Sequence, residues 1–176
     1  MRKIVLTFGL ISGAILGGLM ALAMLFKDQI GFDKGLVVGY SSMVAAFLMI
    51  YFGVRTYRDN VAGGQVTFGR AFKVGGLIML IASLCYVASW EVVRPLFAPD
   101  YMEKYAAYEM QQMRSSGAPE AEVAAQQQQM AKYTEWYKNP VLRMGMTLME
   151  PLPVGLLFTL VTAWGVSRRK KESAPT

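Results

Sequence analysis

Two acidic and two basic side chains in or beside apolar segments are the best candidates for chemistry in this sequence. Glu91 and Arg94 are three residues apart, and Arg143, Thr147 and Glu150 follow one another at helical spacing. Side chains at positions i, i+4 and i+7 lie on one face of a helix. In apolar surroundings such charges pair with each other, bind ions or carry protons, because an isolated charge is unfavourable there. These residues are therefore predicted to form one polar cluster.

The segment Glu150-Pro151-Leu152-Pro153 predicts a break in the last apolar helix. Proline has no backbone N–H, so the two prolines free the carbonyl oxygens four positions before them. Broken helices that carry a carboxylate are a feature of ion and substrate sites in transporters. The alternative is a buried ion pair between Glu150 and an arginine, which would lock the helices together. Glu91 could pair with Arg94 or Arg143 in the same way. We favour the ion pair, because no second apolar segment carries a related break.

The composition gives little support to an enzymatic role. The sequence has no histidine, and Cys85 is its one cysteine. The usual general base, an intrachain disulfide and a structural zinc site are therefore not expected. There is also no nucleophile motif and no glycine-rich phosphate loop. We expect a protein without catalytic activity, bound metal or cofactor.

Four apolar segments are long enough to cross a membrane, which takes about 20 helical residues for a core of about 30 Å. They cover residues 4–26, 36–54, 74–93 and 140–166. The first also resembles a signal peptide, but it continues past the candidate cleavage site, so an uncleaved span is favoured. The sequence predicts an all-α integral membrane four-helix bundle in a single domain. Since successive spans alternate in direction, Tyr40 lies near the depth of Glu150 and is predicted to join the polar cluster.

Basic residues mark one side of this predicted bundle. Ten of them lie before the first span, between the second and third spans and after the fourth, with only two acids, Asp59 and Glu172. The ten are Arg2, Lys3, Arg55, Arg58, Arg70, Lys73, Arg168, Arg169, Lys170 and Lys171. Lysine and arginine beside spans mark the cytoplasmic side. Both termini, including the basic tail 167–176, are therefore expected in the cytoplasm. The net charge of +6 thus reflects membrane topology, and a nucleic-acid partner is not expected.

Residues 95–139 form the one long segment outside the predicted spans. Tyr101, Tyr105 and Tyr108 share one helical face with Gln112. The sequence Ser115-Ser116-Gly117-Ala118-Pro119 is a stop-and-restart signal, since glycine ends helices and proline begins them. The segment is therefore predicted to be a helical hairpin over the outer, periplasmic face of the bundle.

Small residues indicate where the spans pack. Gly9, Gly13 and Gly17 follow at four-residue intervals and give the first span a smooth face for another helix. Homodimerisation through this face is one interpretation. Packing within one bundle is favoured, because small residues line most helix contacts in membranes.

Two motifs around the second loop carry a family resemblance. They are Phe52-Gly53-Val54-Arg55-Thr56-Tyr57-Arg58-Asp59 and Thr67-Phe68-Gly69-Arg70-Ala71-Phe72-Lys73-Val74-Gly75. With Trp90-Glu91 and Glu150-Pro151-Leu152-Pro153-Val154-Gly155, they resemble the bacterial membrane family catalogued as domain of unknown function 4199. The resemblance covers nearly the whole chain and implies a four-helix protein of the bacterial inner membrane. It implies no activity.

The basic motif formed by Arg55, Arg58, Arg70 and Lys73 is explained by contact with anionic lipid headgroups. A specific phosphate-bearing ligand is the less favoured alternative, because the phosphate-loop pattern is missing. Membrane lipids are thus expected partners. A second copy of the chain or another membrane protein stays open as a further partner.

Two functions can be compared with the structure. The first is a non-catalytic scaffold, sensor or assembly protein, which predicts that the outer charges are paired and that no cavity reaches Glu150. The second is a small transporter or ion-coupled carrier, which predicts a water-filled pocket lined by Tyr40, Glu91, Arg143 and Glu150.

Overall fold

The structure of the chain is a computed structural model that describes residues 1–168. Its helices are α1 Arg2–Leu25, α2 Lys27–Asn60, α3 Phe68–Phe97, α4 Tyr101–Ser115, α5 Glu120–Lys138, α6 Pro140–Met149 and α7 Pro151–Arg168. Residues 1–168 contain no β-strand. The basic residues Arg169, Lys170 and Lys171, predicted to lie in the cytoplasm, fall outside the described residues.

Four helical segments are long and apolar enough to cross a membrane: α1, α2, α3, and α6 together with α7. This confirms the predicted all-α bundle of four spans, and α4 and α5 form the predicted hairpin between the third and fourth spans. Large apolar side chains such as Leu157 and Val161 are exposed on the outside of the bundle. In a membrane these side chains face lipid, which is why their exposure is tolerated.

The centre of the bundle is α3, which packs against α1, α2, α6 and α7. The larger buried cluster includes Phe47 and Ile50 of α2 and Ile78 of α3. A buried hydroxyl adds to this contact, because Ser12 Oγ of α1 donates to the carbonyl of Ala46 at 2.8 Å. Buried polar groups need such partners in an apolar interior.

The glycine face of α1 packs against α3, and the two helices run in the same direction. Gly9 lies against Ile81, Gly13 against Cys85, and Gly17 against the next residue of this α3 stripe, Ser89. A Cβ atom on Gly13 would lie only 2.5 Å from the Cβ of Cys85, so glycine is what lets the two backbones approach. The glycine face therefore packs within the bundle.

The hairpin is held against the first part of α2, next to its kink at Gly31. Phe32 packs among the rings of Tyr101, Tyr105 and Tyr108, with centroid distances of 5.8, 5.8 and 5.3 Å. The Tyr108 hydroxyl also donates to the carboxylate of Asp33. The tyrosine face predicted from the sequence is thus the face by which α4 docks. Gly31, with φ of 67°, supplies the left-handed backbone that brings Phe32 to this position.

The close approach of α1 and α3 can be tested with Gly13→Val. The added side chain overlaps Cys85 and should lower the free energy of unfolding in detergent by about 1–3 kcal/mol. Gly18→Val is the matched control, because a Cβ at Gly18 meets no atom within 4 Å. Denaturant titration followed by circular dichroism measures both. Equal stability of the two variants would contradict this packing.

Candidate functional site

The strongest polar contact on the hairpin side joins α3 to α6. Arg143 Nε donates to Glu91 Oε1 at 2.8 Å, and Arg143 Nη2 donates to Glu91 Oε2 at 2.6 Å. Two parallel charge-assisted hydrogen bonds give this pair both strength and a fixed orientation. The Arg143 side chain is buried and that of Glu91 nearly so. Each charge is therefore neutralised by the other where water is scarce.

Arg143 also ties the end of the hairpin to the bundle. Its Nη1 donates to the backbone carbonyl of Tyr137 at 3.0 Å, and its guanidinium lies 5.8 Å from the centre of the Tyr137 ring. Asn139 then caps α6, because its side chain accepts hydrogen bonds from the backbone N–H groups of Val141 and Leu142. One arginine thus fixes α3, the last turn of α5 and the start of α6 relative to each other.

The acidic residue at the helix break has a different partner from the one predicted. Tyr86 donates its hydroxyl hydrogen to Glu150 Oε2 at 2.7 Å, and among residues 1–168 Glu150 forms no ion pair. The predicted pairing of Glu150 with an arginine is therefore wrong. Glu91 takes the arginine instead, because Arg143 lies about two turns before Glu150 along the span. Glu150 itself is exposed on the side of the bundle.

The break predicted at Pro151 is present. α6 ends at Met149 and α7 begins at Pro151. The Thr147 carbonyl, which Pro151 cannot satisfy, accepts a long hydrogen bond of 3.4 Å from the Glu150 N–H. Pro153 lies in the first turn of α7, where the missing N–H breaks no bond within α7. The Thr147 side chain is buried beside this joint.

Two of the predicted cluster residues lie outside the contacts described above. Tyr40 is 52% exposed on α2 and has no hydrogen bond to any described residue. Arg94 forms no salt bridge with Glu91, and its buried Nε has no hydrogen-bond partner in the part of the chain that the structure describes. The structure thus brings together Glu91, Arg143 and Thr147 near the break at Glu150, but not Tyr40.

An aromatic layer between the hairpin and the bundle was not predicted as part of the site. Trp90 Nε1 donates to the Tyr137 hydroxyl at 2.5 Å, and the Trp90 ring meets the Tyr101 ring edge-on at 5.2 Å. Burial raises the pKa of Tyr101 and of Tyr137 to about 12. Tyr101 is the first residue of α4, and Tyr137 is the last but one of α5. Their positions at the two ends of the hairpin are the sequence feature that points to a role in its attachment.

The basic motif at the end opposite the hairpin has a simpler geometry. Arg58 Nε lies 2.7 Å from Asp59, and Arg55 Nε lies 3.6 Å from the same carboxylate. Arg70 and Lys73 are exposed. These side chains can meet lipid headgroups, and they form no enclosed ligand site with each other in residues 1–168.

The chemistry of the hairpin-side site is limited to one ion pair, one carboxyl group and several phenols. No group of three or more metal-ligating side chains lies together in residues 1–168. Among the surface grooves of the described residues, one runs along α2 and is lined by Tyr40, and another lies between α4 and α5. Neither is lined by Glu91, Arg143 or Glu150.

The four apolar helical segments, two of which are joined by the ion pair of Glu91 and Arg143, identify an α-helical, multi-pass membrane protein. The family model described as "Protein of unknown function (DUF4199)" matches residues 7–168. The chain belongs to this family, as the sequence motifs predicted. No curated protein and no solved structure gives a significant match.

The aromatic layer predicts how the protein responds to base. Folding raises the phenol pKa from about 10, so the neutral phenol is the favoured form. The resulting stabilisation is complete below about pH 10 and is lost as the pH rises through the folded pKa of about 12. Tyr137→Phe should remove one late-titrating phenol from the ultraviolet titration of phenolate. An unchanged late phase would contradict the burial of Tyr137.

Proposed function

We propose that this protein is a non-catalytic component of the bacterial inner membrane that acts as a scaffold, sensor or assembly factor through its hairpin. In this proposal both termini are cytoplasmic and the hairpin α4–α5 is periplasmic. The exposed Arg55, Arg70 and Lys73 at the end opposite the hairpin support this orientation, since basic residues are retained on the cytoplasmic side.

The observation that carries the proposal is the way in which Arg143 is used. All three nitrogens of its guanidinium group form structural hydrogen bonds, Nε and Nη2 with Glu91 on α3 and Nη1 with the carbonyl of Tyr137 at the end of α5. A transporter would need such groups to exchange partners with a solute or ion during its cycle. Here these contacts fix the hairpin on the bundle. A fixed hairpin is suited to act as a binding surface for another protein.

The hairpin also presents a surface of suitable chemistry. A groove between α4 and α5 is lined by alanine, methionine and glutamine side chains together with one acid–base pair, Glu135 and Lys138. Methionine side chains adapt to varied partners, and small residues allow a close approach of backbones. Such a groove fits a protein segment better than a small polar solute.

The alternative of a small transporter is less well supported. It predicts a pocket that reaches Glu150 and is lined by Tyr40, Glu91 and Arg143. Tyr40 lines a groove along α2, but neither this groove nor the one between α4 and α5 is lined by Glu91, Arg143 or Glu150, and Glu91 and Arg143 are bound to each other. A carrier that used Glu91 and Arg143 would have to separate this pair during its cycle.

Crosslinking from the hairpin tests the proposed role and orientation together. In a Cys85→Ala background, Gln127→Cys places a thiol in the α4–α5 groove. A membrane-impermeant thiol–amine crosslinker added to intact spheroplasts should give a discrete protein adduct at this position. Gln65→Cys, in the exposed α2–α3 turn, is the matched control and should react only after the membrane is opened.

Two outcomes would contradict the proposal. Reaction of Gln65→Cys in intact spheroplasts would reverse the orientation. Labelling of Gln127→Cys without any adduct, together with solute flux into reconstituted vesicles that Glu150→Gln abolishes in a stably folded protein, would favour the transporter.

A further inference from the structure

One face of α2 is covered at one end of the bundle and open at the other. Leu36, Tyr40, Phe47 and Val54 share this face, because they follow at i, i+4, i+11 and i+18. Phe47 and Val54 are fully buried, whereas Leu36 is 63% exposed and Tyr40 is exposed as well. A stripe that is core at one end therefore becomes surface at the hairpin end.

The bend at Pro151 explains this change. On the side of the bend away from the hairpin, α7 packs against both α2 and α3, and the Phe158 ring lies 6.4 Å from the Phe47 ring. On the hairpin side of the bend, α6 packs against α3 and α5 instead. The departure of α6 uncovers the hairpin-side half of α2, and we call the exposed surface formed by Leu36, Val37, Tyr40, Ser41 and Val44 the α2 slot.

Glu150 is exposed at the same bend with unused hydrogen-bonding capacity. Its Oε2 accepts from Tyr86, and its Oε1 has no partner among the described residues. Lipid chains cannot donate a hydrogen bond, and a polar group left without a partner in hydrocarbon is strongly unfavourable. Whatever covers Glu150 must therefore bring a polar group that can form a hydrogen bond with the carboxyl group.

The chain itself carries donors at the matching depth. Gly155 of α7 contacts Phe47, which sets a common level. From this level, Glu150 is five residues toward the hairpin, or about 7.5 Å, and Ser41 is six residues, or about 9 Å. Tyr40 is one residue further than Ser41. The hydroxyl groups of Tyr40 and Ser41 have no hydrogen bond to any described residue.

We propose that a second copy of this chain covers the α2 slot, and that Tyr40 or Ser41 of each protomer donates a hydrogen bond to Glu150 of the other. A twofold axis along the membrane normal keeps every residue at its own depth, so a donor and an acceptor at equal depth can meet across it. The exposed side chains of Val37, Val44 and Met149 supply the apolar contact around these bonds.

Depth also favours a second copy over a phospholipid headgroup. Glu150 lies ten residues, or about 15 Å, beyond the start of the fourth span at Pro140. A polar headgroup would have to leave the interface and enter the hydrocarbon to reach Glu150, which is unfavourable. A hydroxyl on a neighbouring transmembrane helix is already at this depth. The dimer does not depend on the role proposed for the hairpin.

Single-molecule photobleaching in vesicles of phosphatidylethanolamine and phosphatidylglycerol tests this inference. The full-length protein should bleach in two steps at high protein-to-lipid ratio. Removing both donors with Tyr40→Phe and Ser41→Ala should raise the dimer dissociation constant at least about fivefold, since each dimer loses hydrogen bonds at two equivalent sites. Glu150→Leu should act in the same direction.

Leu157→Ala is the matched control, because Leu157 is exposed on α7 away from the α2 slot, and it should leave the dissociation constant unchanged. Circular dichroism and thermal unfolding check that each variant is folded. A second measurement leaves Glu150 unchanged. One tagged chain carries Val44→Cys and a differently tagged chain carries Met149→Cys, both in a Cys85→Ala background. On oxidation the two chains should form a disulfide-linked pair.

Three results would overturn the inference. The first is a monomer at every protein-to-lipid ratio together with no disulfide-linked pair. The second is a dimer weakened by Leu157→Ala but not by the loss of Tyr40 and Ser41 hydroxyls. The third is a monomer that retains a bound lipid whose loss follows Glu150→Leu, which would assign the α2 slot to lipid.

Discussion

The arrangement of this protein depends on the pairing of Glu91 with Arg143. Hydrocarbon offers no water to either charge, so each must find its counter-charge within the protein. Their two parallel hydrogen bonds fix α6 against α3, and Arg143 Nη1 holds the last turn of α5 through the carbonyl of Tyr137. The hairpin is thereby attached at both ends, by this contact and by the tyrosine face of α4 on Phe32. A rigid hairpin surface follows from one buried ion pair and one aromatic contact.

Whereas the ion pair holds helices together, the bend at Pro151 separates α6 from α2. Since α6 packs against α3 and α5, the core-facing stripe of α2 is left uncovered toward the hairpin. The same feature thus places α6 within reach of Glu91 and exposes an acid at the side of the bundle. The ion pair stabilises the protomer, whereas the exposed acid requires a partner outside it. A structural joint and an interaction surface are therefore two consequences of one break in the fourth span.

Much of the fold could be predicted because it depends on local patterns. Apolar length predicts the four spans, and the stop-and-restart sequence at Gly117 predicts the hairpin. Glycine spacing predicts the close face of α1. Pairing in the site could not be predicted in this way, because sequence spacing puts Arg94 as well as Arg143 within reach of Glu91. The position of Tyr40 was predicted from depth alone, but depth does not determine whether two helices face each other. That relation depends on the direction of the bend at Pro151, and the meeting of Trp90 with Tyr137 depends on it too.

A double-mutant cycle on Glu91→Gln and Arg143→Gln, followed by unfolding in detergent, tests the central pairing most directly. Each single variant leaves one buried charge without its partner and should lower the free energy of unfolding by about 3–5 kcal/mol. The double variant should lose clearly less than the sum of the two, because it leaves no charge uncompensated. Losses that simply add would show that Glu91 and Arg143 act independently, and the account of the hairpin as a surface fixed by their pairing would be contradicted.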